Sequence, residues 1–379
     1  MLTAQTILNK INRQIVDNKD VEMVTSVLKT GFLSKPEGGP MVALLQQQMA
    51  YMHDKKYAFA VNSGTSSLHC AISALELEKG DEVIVPVLAN IADCSTVIQE
   101  GGKPIFVDID PDTFNIDPDK IEKKITKKTK AIIVVHMYGQ PVKIDEIKGI
   151  TKKYNLVLIE DCAQAAGAKY KGKYVGSFGD ISCFSLYQTK HIICGEGGIV
   201  ATSNNKFAKI ISSIANNGIM KDDLDAYDYD RIGYNYQLSE IQAVLALGQL
   251  KKLDKNNIKR RKNVELFKRM LKDVDIIFQK VDPDTENAYF YLTGTLPDKL
   301  YGKRDAFMKL VKDLNAPIKK LYPLALNEVT LFKKHYEQDC PVAQHITKLF
   351  FNLYVNPGLE KKEITFMADA VRKAYMKLV

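Results

Sequence analysis

The sequence predicts an α/β fold: a large three-layer domain with helices on both faces of a mostly parallel sheet, then a smaller C-terminal α+β domain. Three observations carry this. Short apolar runs, among them DEVIVP (81–86), AIIVVH (131–136) and NLVLIE (155–160), recur between turn residues, as strands buried on both faces do. Helical periodicity separates them, as in Leu68, Ala71, Ile72 and Leu75, giving the strand–helix alternation of parallel sheets. From about Lys251 the texture changes to a long basic helix followed by short mixed signals. A chain of 379 residues, 46% hydrophobic and 26% charged, is long enough for a large core and a second domain. The boundary is expected at 250/251, with residues 1–250 forming the large domain, N-terminal helices included, and 251–379 the small one.

Taken in order, residues 1 to about 30 predict two amphipathic helices, with Ile7, Ile11 and Ile15 on one and Val21, Val24 and Val27 on the next, stopped by Gly31. Leu33 to Pro40 (LSKPEGGP) is an irregular loop, either a linker or part of a site entrance. A strand at Ala58–Val61 feeds NSGTSS and a helix. Strands at Asp81–Pro86 and Pro104–Asp110 flank a helix closed by Gly101 and Gly102. Ala131–His136 is a strand entering the turn MYGQP, where His136 is expected to satisfy local backbone hydrogen bonds. After strands at 155–160, 181–186 and 199–202, Ser239–Leu250 reads as a strong apolar helix. Beyond it, the helix Lys251–Leu271, a strand at Asn287–Thr295, a helix at Asp305–Leu314, mixed signals at Val342–Leu353 and a closing helix at Lys361–Leu378 complete the chain.

The chemistry concentrates between Asn155 and Val200: strand, acidic residue, small-residue turn, second strand, lysine, glycine-rich loop. Asp161 stands where the first strand ends, and parallel sheets bind ligands beyond the carboxyl ends of their strands. Lys190 follows the second strand. A pyridoxal phosphate site requires such a pair: an amine to form a Schiff base with the cofactor aldehyde, and an acid to keep the pyridine nitrogen protonated. Singly, each has an ordinary reading, as a solvated lysine and a helix-capping aspartate. Asn62 to Ser66 likewise reads either as a cap or as a phosphate site, where backbone N–H groups and the helix dipole face an anion. Neither GxGxxG nor GxxxxGK[ST] is present, which removes the main support for dinucleotide and P-loop readings.

Together, EDCAQAAGA, GSFGDISCFSLYQTKH and GEGG resemble the DegT-type (DegT/DnrJ/StrS) sugar aminotransferases, of the aspartate aminotransferase-like fold type I of pyridoxal phosphate enzymes. The resemblance spans about Lys19 to Leu378 and implies a specific set of roles. Lys190 would carry the cofactor and act as the catalytic base and acid. Asp161 would meet the ring nitrogen, Gln164 the ring hydroxyl, and Ser185, Thr65 and Ser66 the phosphate. Asn235, in GYNYQ, would reach the phosphate of a partner subunit, so a homodimer with shared active sites is implied. The implied reaction moves an amino group from glutamate or glutamine to a keto sugar, nucleotide-linked, through pyridoxal and pyridoxamine phosphate. Three positions depart from the pattern. Asn90 stands where an aromatic residue usually stacks on the ring, Gln237 replaces an arginine, and Leu324 follows Tyr322-Pro323 where a histidine is common.

Composition narrows the partners. The net charge of +8 comes from lysines spread over helix-like segments without a nucleic-acid motif, so no nucleic-acid partner is expected; the bias suits an anionic substrate. The six cysteines (70, 94, 162, 183, 194 and 340) form no CxxC pair or zinc spacing, so neither a metal site nor a disulfide framework is expected. The first twenty residues lack a signal-peptide core and no run approaches membrane-spanning length, so a cytoplasmic location without membrane association is expected. Two rivals remain at this level. One is a pyridoxamine phosphate-dependent sugar dehydratase, an offshoot in which histidine replaces the lysine; here Lys190 is present and His191 is only its neighbour. The other is a non-catalytic sensor or assembly protein on the same fold.

Overall fold

A computed structural model describes residues 2–13, 16–35, 38–221, 227–229, 231–334 and 338–379; Ile15 of the first expected helix and Pro36 and Glu37 of the following loop lie outside the described residues. Seven strands build the main sheet: β1 (Tyr57–Val61), β2 (Glu82–Pro86), β3 (Lys103–Val107), β4 (Thr129–Val135), β5 (Val157–Asp161), β6 (Ile181–Ser185) and β7 (Gly198–Thr202). Their spatial order is β1-β7-β6-β5-β4-β2-β3. All neighbours run parallel except β7, which is antiparallel to both β1 and β6. β1 therefore points the same way as β6, and the strands β1 to β6 end along one edge.

The apolar runs alternate between the two faces with period two, as a pleated strand requires. Val83, Val85, Ile133 and Val135 join one buried cluster with helices α4 (Gly64–Ser73), α5 (Ala92–Gln99) and α7 (Asn205–Ala215). Ile84, Ile132, Val134 and Leu158 join a second, under α6 (Ile144–Tyr154). Phe184 and Ile199 face a third, formed with α3 (Pro40–Met52) and α8 (Glu240–Leu250). Both faces are thus covered, giving the three layers.

The N-terminal helices are α1 (Ala4–Arg13) and α2 (Asn18–Thr30), the latter closed by Gly31 in the left-handed region at φ 70°. Val27 is buried but Val21 is 56% exposed, so the expected apolar face of α2 is only partly used. The helix α3 had no counterpart in the sequence reading. Its first turn is capped from far away, by the Glu240 carboxylate, which accepts from the N–H groups of Met41 (2.8 Å) and Val42 (2.9 Å).

After α9 (Leu253–Met270) come a three-stranded antiparallel sheet, β8 (Ile277–Phe278), β9 (Leu292–Thr295) and β10 (Phe350–Leu353), and helices α10 (Arg304–Asp313) and α11 (Lys361–Leu378). Phe267, Phe307, Phe351, Met367 and Val371 centre their core, which also receives Ile7 and Ile11 of α1. Ala325, Leu326, Phe332, Cys340, Ala343 and Ile346 instead pack back onto the large-sheet cluster. The strand expected over Asn287–Thr295 is confined to β9. Residues 288–290 are drawn aside by the MYGQP turn: Ala288 N–H donates to Gly139 O (3.1 Å) and Phe290 N–H to Tyr138 O (2.9 Å). A Cβ on Gly139, whose φ is +97°, would stand 2.6 Å from the Tyr289 nitrogen, so this approach needs glycine.

Candidate active site

Because β1, β2, β5 and β6 end along one edge, the residues that follow them converge there. A cavity of about 250 Å³ opens at this edge, lined by Gly64, Thr65, Asn90, Asp161, Gln164, Ser185, Lys190 and Tyr322 among others. Its size is near the lower end for small-molecule sites, roughly 300 Å³.

One end is the start of α4. Ser63 is its N-cap, with Oγ accepting from Ser66 N–H at 3.0 Å. Contact here is unusually close. A Cβ on Gly64 would lie 2.7 Å from the Ser185 Cβ, and one on Gly198, of the GEGG loop, 2.3 Å from the Ser63 carbonyl oxygen. Glycine at both positions lets β6, β7 and the α4 terminus meet, so the Ser185 hydroxyl and Thr65 flank first-turn N–H groups. Such an arrangement has the donors to hold a phosphate.

The floor carries Asp161, 3% exposed, with Oδ1 accepting from Ala163 N–H at 2.8 Å. Burial raises its carboxyl above the ordinary value, against the pull of Ala163 N–H, Lys190 and His136. Lys190 stands on the β6–β7 loop, which is folded back by Gln188 N–H to Gly195 O (3.0 Å) and Cys194 N–H to Leu186 O (2.9 Å). Its Nζ lies 4.7 Å from the centre of the Phe290 ring. Burial lowers its ammonium below the usual lysine range, while Asp161 and Asp93 work the other way. An amine with a depressed pKa is uncharged, hence nucleophilic, more of the time.

Gln164 is fixed at both ends: Oε1 accepts from Tyr138 N–H (3.1 Å), and Nε2 donates to the Tyr322 hydroxyl (2.9 Å). Asn90 lines the cavity, with Oδ1 accepting from Ala92 N–H at 3.0 Å to start α5. The side chain is thus tied into the turn instead of lying freely across the floor.

The structure therefore brings together Thr65, Asn90, Asp161, Gln164, Ser185 and Lys190. Ser66 does not line the cavity; its hydroxyl donates to Asn62 Oδ1 at 2.6 Å. Asn235 is exposed and does not line this chain's own cavity, with its backbone carbonyl accepting from Asn62 Nδ2 at 3.3 Å and its Oδ1 from Gln237 N–H at 3.4 Å. The Gln237 side chain donates to Asn216 Oδ1 at 2.7 Å. Sequence reasoning missed Tyr322, Phe290 and Asp93. The first two arrive from the C-terminal third, and Asp93 is signalled only by the Asn-x-x-Asp spacing of a helix start.

His136 is structural in its contacts. Nδ1 accepts from Val142 N–H (3.2 Å), and Nε2 faces Glu160 Oε2 (3.1 Å). Glu160 also accepts from the N–H groups of Gly176 (2.8 Å), Phe178 (2.8 Å) and Gly179 (2.5 Å). Burial alone would raise the Glu160 carboxyl, but His136 and these N–H groups hold it down to about 2. His136, Glu160 and Cys162 lie close enough together to suggest a metal site, yet both carboxylate oxygens are already engaged. All six cysteines are buried and free.

The family model for the DegT/DnrJ/EryC1/StrS aminotransferase family matches residues 14–372. The chain belongs to this family. It is 33% identical over 360 residues to the GDP-perosamine synthase of Escherichia coli O157:H7, covering 94% of this chain and 96% of that protein. It is 32% identical over 330 residues to the UDP-N-acetyl-3-dehydro-alpha-D-glucosamine 3-aminotransferase of Acidithiobacillus ferrooxidans, covering 87% of each. An aminotransferase structure from Psychrobacter cryohalolentis superposes with a TM-score of 0.89 at 29% identity, covering 96% of this chain and 98% of that one. The fold is therefore fold type I, and the protein is an aminotransferase whose cofactor is pyridoxal phosphate, cycling with its pyridoxamine form. The residues present fit that group, with an anion cradle at one end of the cavity and a buried carboxyl and a half-buried amine at the other.

Proposed function

We propose that this enzyme transfers an amino group from glutamate or glutamine to the ketone of a nucleotide-linked keto sugar. The carrying observation is the cavity that gathers Lys190, Asp161, Gln164, Ser185 and Thr65 at the strand ends. The acceptor class rests on two relatives named for GDP- and UDP-linked amino sugars. When bound, pyridoxal phosphate supplies an aldehyde for amine exchange and a ring that accepts electrons from the carbon losing its proton.

The chain's own groups do the rest. Thr65, Ser185 and the α4 N–H groups bind the phosphate, with Ser66 supporting that turn. Asp161 would accept a hydrogen bond from the ring nitrogen and keep its proton there. Gln164, steadied by Tyr322, would meet the ring hydroxyl. Asn90 would line the ring's site where an aromatic is usual. Lys190 Nζ would hold the cofactor and, when free, would take the proton from the donor's α-carbon and return it on the acceptor side. Cofactor binding is assigned to residues 1–250, and the smaller unit, 251–379, closes the site through Tyr322 and Phe290.

The working form is a cytoplasmic homodimer, in which Asn235 serves the partner's phosphate. Ile232 (84% exposed), Tyr229 (60%) and Tyr234 (39%) put apolar surface within a few residues of Asn235, as a covered face would. Among the described residues no helix is long and apolar enough to cross a membrane, and neither a membrane nor a nucleic-acid partner enters the proposal.

The test is incubation of the holoenzyme with glutamate or glutamine and a panel of nucleotide-linked keto sugars, with products read by mass spectrometry. Replacement of the ketone oxygen by an amino group in at least one sugar is expected. Loss of water without gain of nitrogen would favour the dehydratase instead, and no amino exchange with any acceptor would overturn the proposal.

A further inference from the structure

Asp93 lies in the first turn of α5 and is 0% exposed. Its Oδ2 accepts from Asn90 N–H at 3.1 Å, which closes the turn begun by the Asn90 side chain. Its Oδ1 is buried and receives no hydrogen bond. The carboxyl of Asp161 lies beside it, with Lys190 nearby. Asp161 has only Ala163 N–H on Oδ1.

Two buried carboxyls in contact cannot both ionise, so the pair retains one proton between them. The surroundings say which group holds it. Asp161 faces the cation Lys190 and accepts a backbone N–H, both of which favour its charged form. Asp93 lies deeper, where burial and the Asp161 charge push its carboxyl well above the ordinary range. The remaining titratable groups around the pair include His136, Tyr322, Cys94, Cys162 and Cys183; burial raises the tyrosine and the three thiols, so these four carry no charge at neutral pH.

We propose that Asp93 is a positioning residue that donates a proton-bearing hydrogen bond to Asp161, so that a two-carboxyl unit, and not a lone carboxylate, faces the cofactor's ring nitrogen. The inference rests on the reading that Asp161 meets that nitrogen. Its consequence is physical. A carboxylate that accepts from both Asp93 O–H and Ala163 N–H is less basic. It then leaves the proton on the ring nitrogen instead of taking it, while keeping its own charge. Asp93 and Asn90 act as one device, since the turn that Asn90 caps is the turn that aims Asp93. An aromatic residue at position 90 could not accept the Ala92 N–H.

The experiment compares wild type with Asp93→Asn, Asp93→Ala and Asp161→Asn. Infrared spectra of apo- and holoenzyme at neutral pH report protonated carboxyl groups, and apoenzyme titrated with pyridoxal phosphate reports affinity. The wild type should show a protonated-carboxyl carbonyl band that Asp93→Asn removes. Asp93→Asn, whose amide still donates to Asp161, should bind the cofactor within about threefold of wild type, whereas Asp93→Ala should bind about tenfold more weakly. The visible absorbance of bound cofactor should change with pH at the alkaline end in the wild type as the shared proton leaves, and lose that limb in Asp93→Asn. Absence of the band in wild type, or its persistence in Asp93→Asn, overturns the proposal even if Asp93→Ala misfolds. If Asp161→Asn binds cofactor with unchanged affinity and absorbance, the assignment of Asp161 itself has failed, independently of Asp93.

Discussion

At the scale of single residues, the site combines a nucleophile kept in low polarity with partners fixed by hydrogen bonds. Lys190 is half-buried against Phe290, and Gln164 is held at both ends, by Tyr138 N–H and the Tyr322 hydroxyl. Removing that hydroxyl in Tyr322→Phe leaves the Gln164 amide without its acceptor. A net cost of about 1 kcal/mol, or roughly fivefold in kcat/KM, is expected. Steady-state kinetics would check it, and an unchanged value would show that Gln164 needs no brace. Lys190, Asp161, Gln164 and Ser185 were legible in the sequence because they sit on one contiguous stretch whose spacing repeats a known motif. Tyr322, Phe290 and Asp93 were not, because the Tyr322-Pro323 pair and the Asn-x-x-Asp helix start say nothing of what lies nearby in space; the fold alone carries these residues to the site. Ser66 shows the converse: SGTSS is visible as a phosphate motif, but which hydroxyl faces the cavity depends on the cap that Ser63 and Asn62 make.

At the scale of elements, the floor of the site is held by the pair His136 and Glu160 beneath the ends of β4 and β5. Glu160 ties three N–H groups of the 176–179 loop to β5. Breaking a buried pair of this kind costs about 3 kcal/mol or more, so Glu160→Gln should lower the unfolding free energy by about that amount, measured by urea denaturation. The pH dependence follows from the depressed carboxyl. Its stabilisation is complete above the unfolded value of 4.5 and is lost as pH falls towards about 2. The wild type should therefore lose stability across that window more steeply than Glu160→Gln. Equal slopes would remove Glu160 from the account. The strands of the main sheet were legible because each centres on a short apolar run between turn residues. The helix α3 was not, because its N-terminal cap is Glu240, 199 residues away from Met41. The strand expected from Asn287 is cut to Leu292–Thr295 for a similar reason, a hydrogen-bonded claim on residues 288–290 by a distant turn.

At the scale of the molecule, one topological fact makes the site: β1 to β6 all end along one edge, so helix start, carboxylate, hydroxyl and lysine meet there. The C-terminal third then reaches back, with Tyr322 on the cavity and Ala325, Phe332, Ala343 and Ile346 packed on the large-sheet core. That return path could not be read from a sequence whose motifs fade after Leu250. The exposed aromatic surface around Tyr229 to Tyr234 predicts a mass of twice the 42.6 kDa chain in sedimentation equilibrium, and a monomer at micromolar concentration would contradict the shared site. The central claim, that the amine of Lys190 carries the cofactor in this cavity, has a more direct test. Purified protein is given pyridoxal phosphate, reduced with borohydride and digested, and the peptides are mapped by mass spectrometry. A phosphopyridoxyl group on Lys190, absent from Lys190→Ala, is the predicted result; labelling of another lysine, or of none, would contradict it.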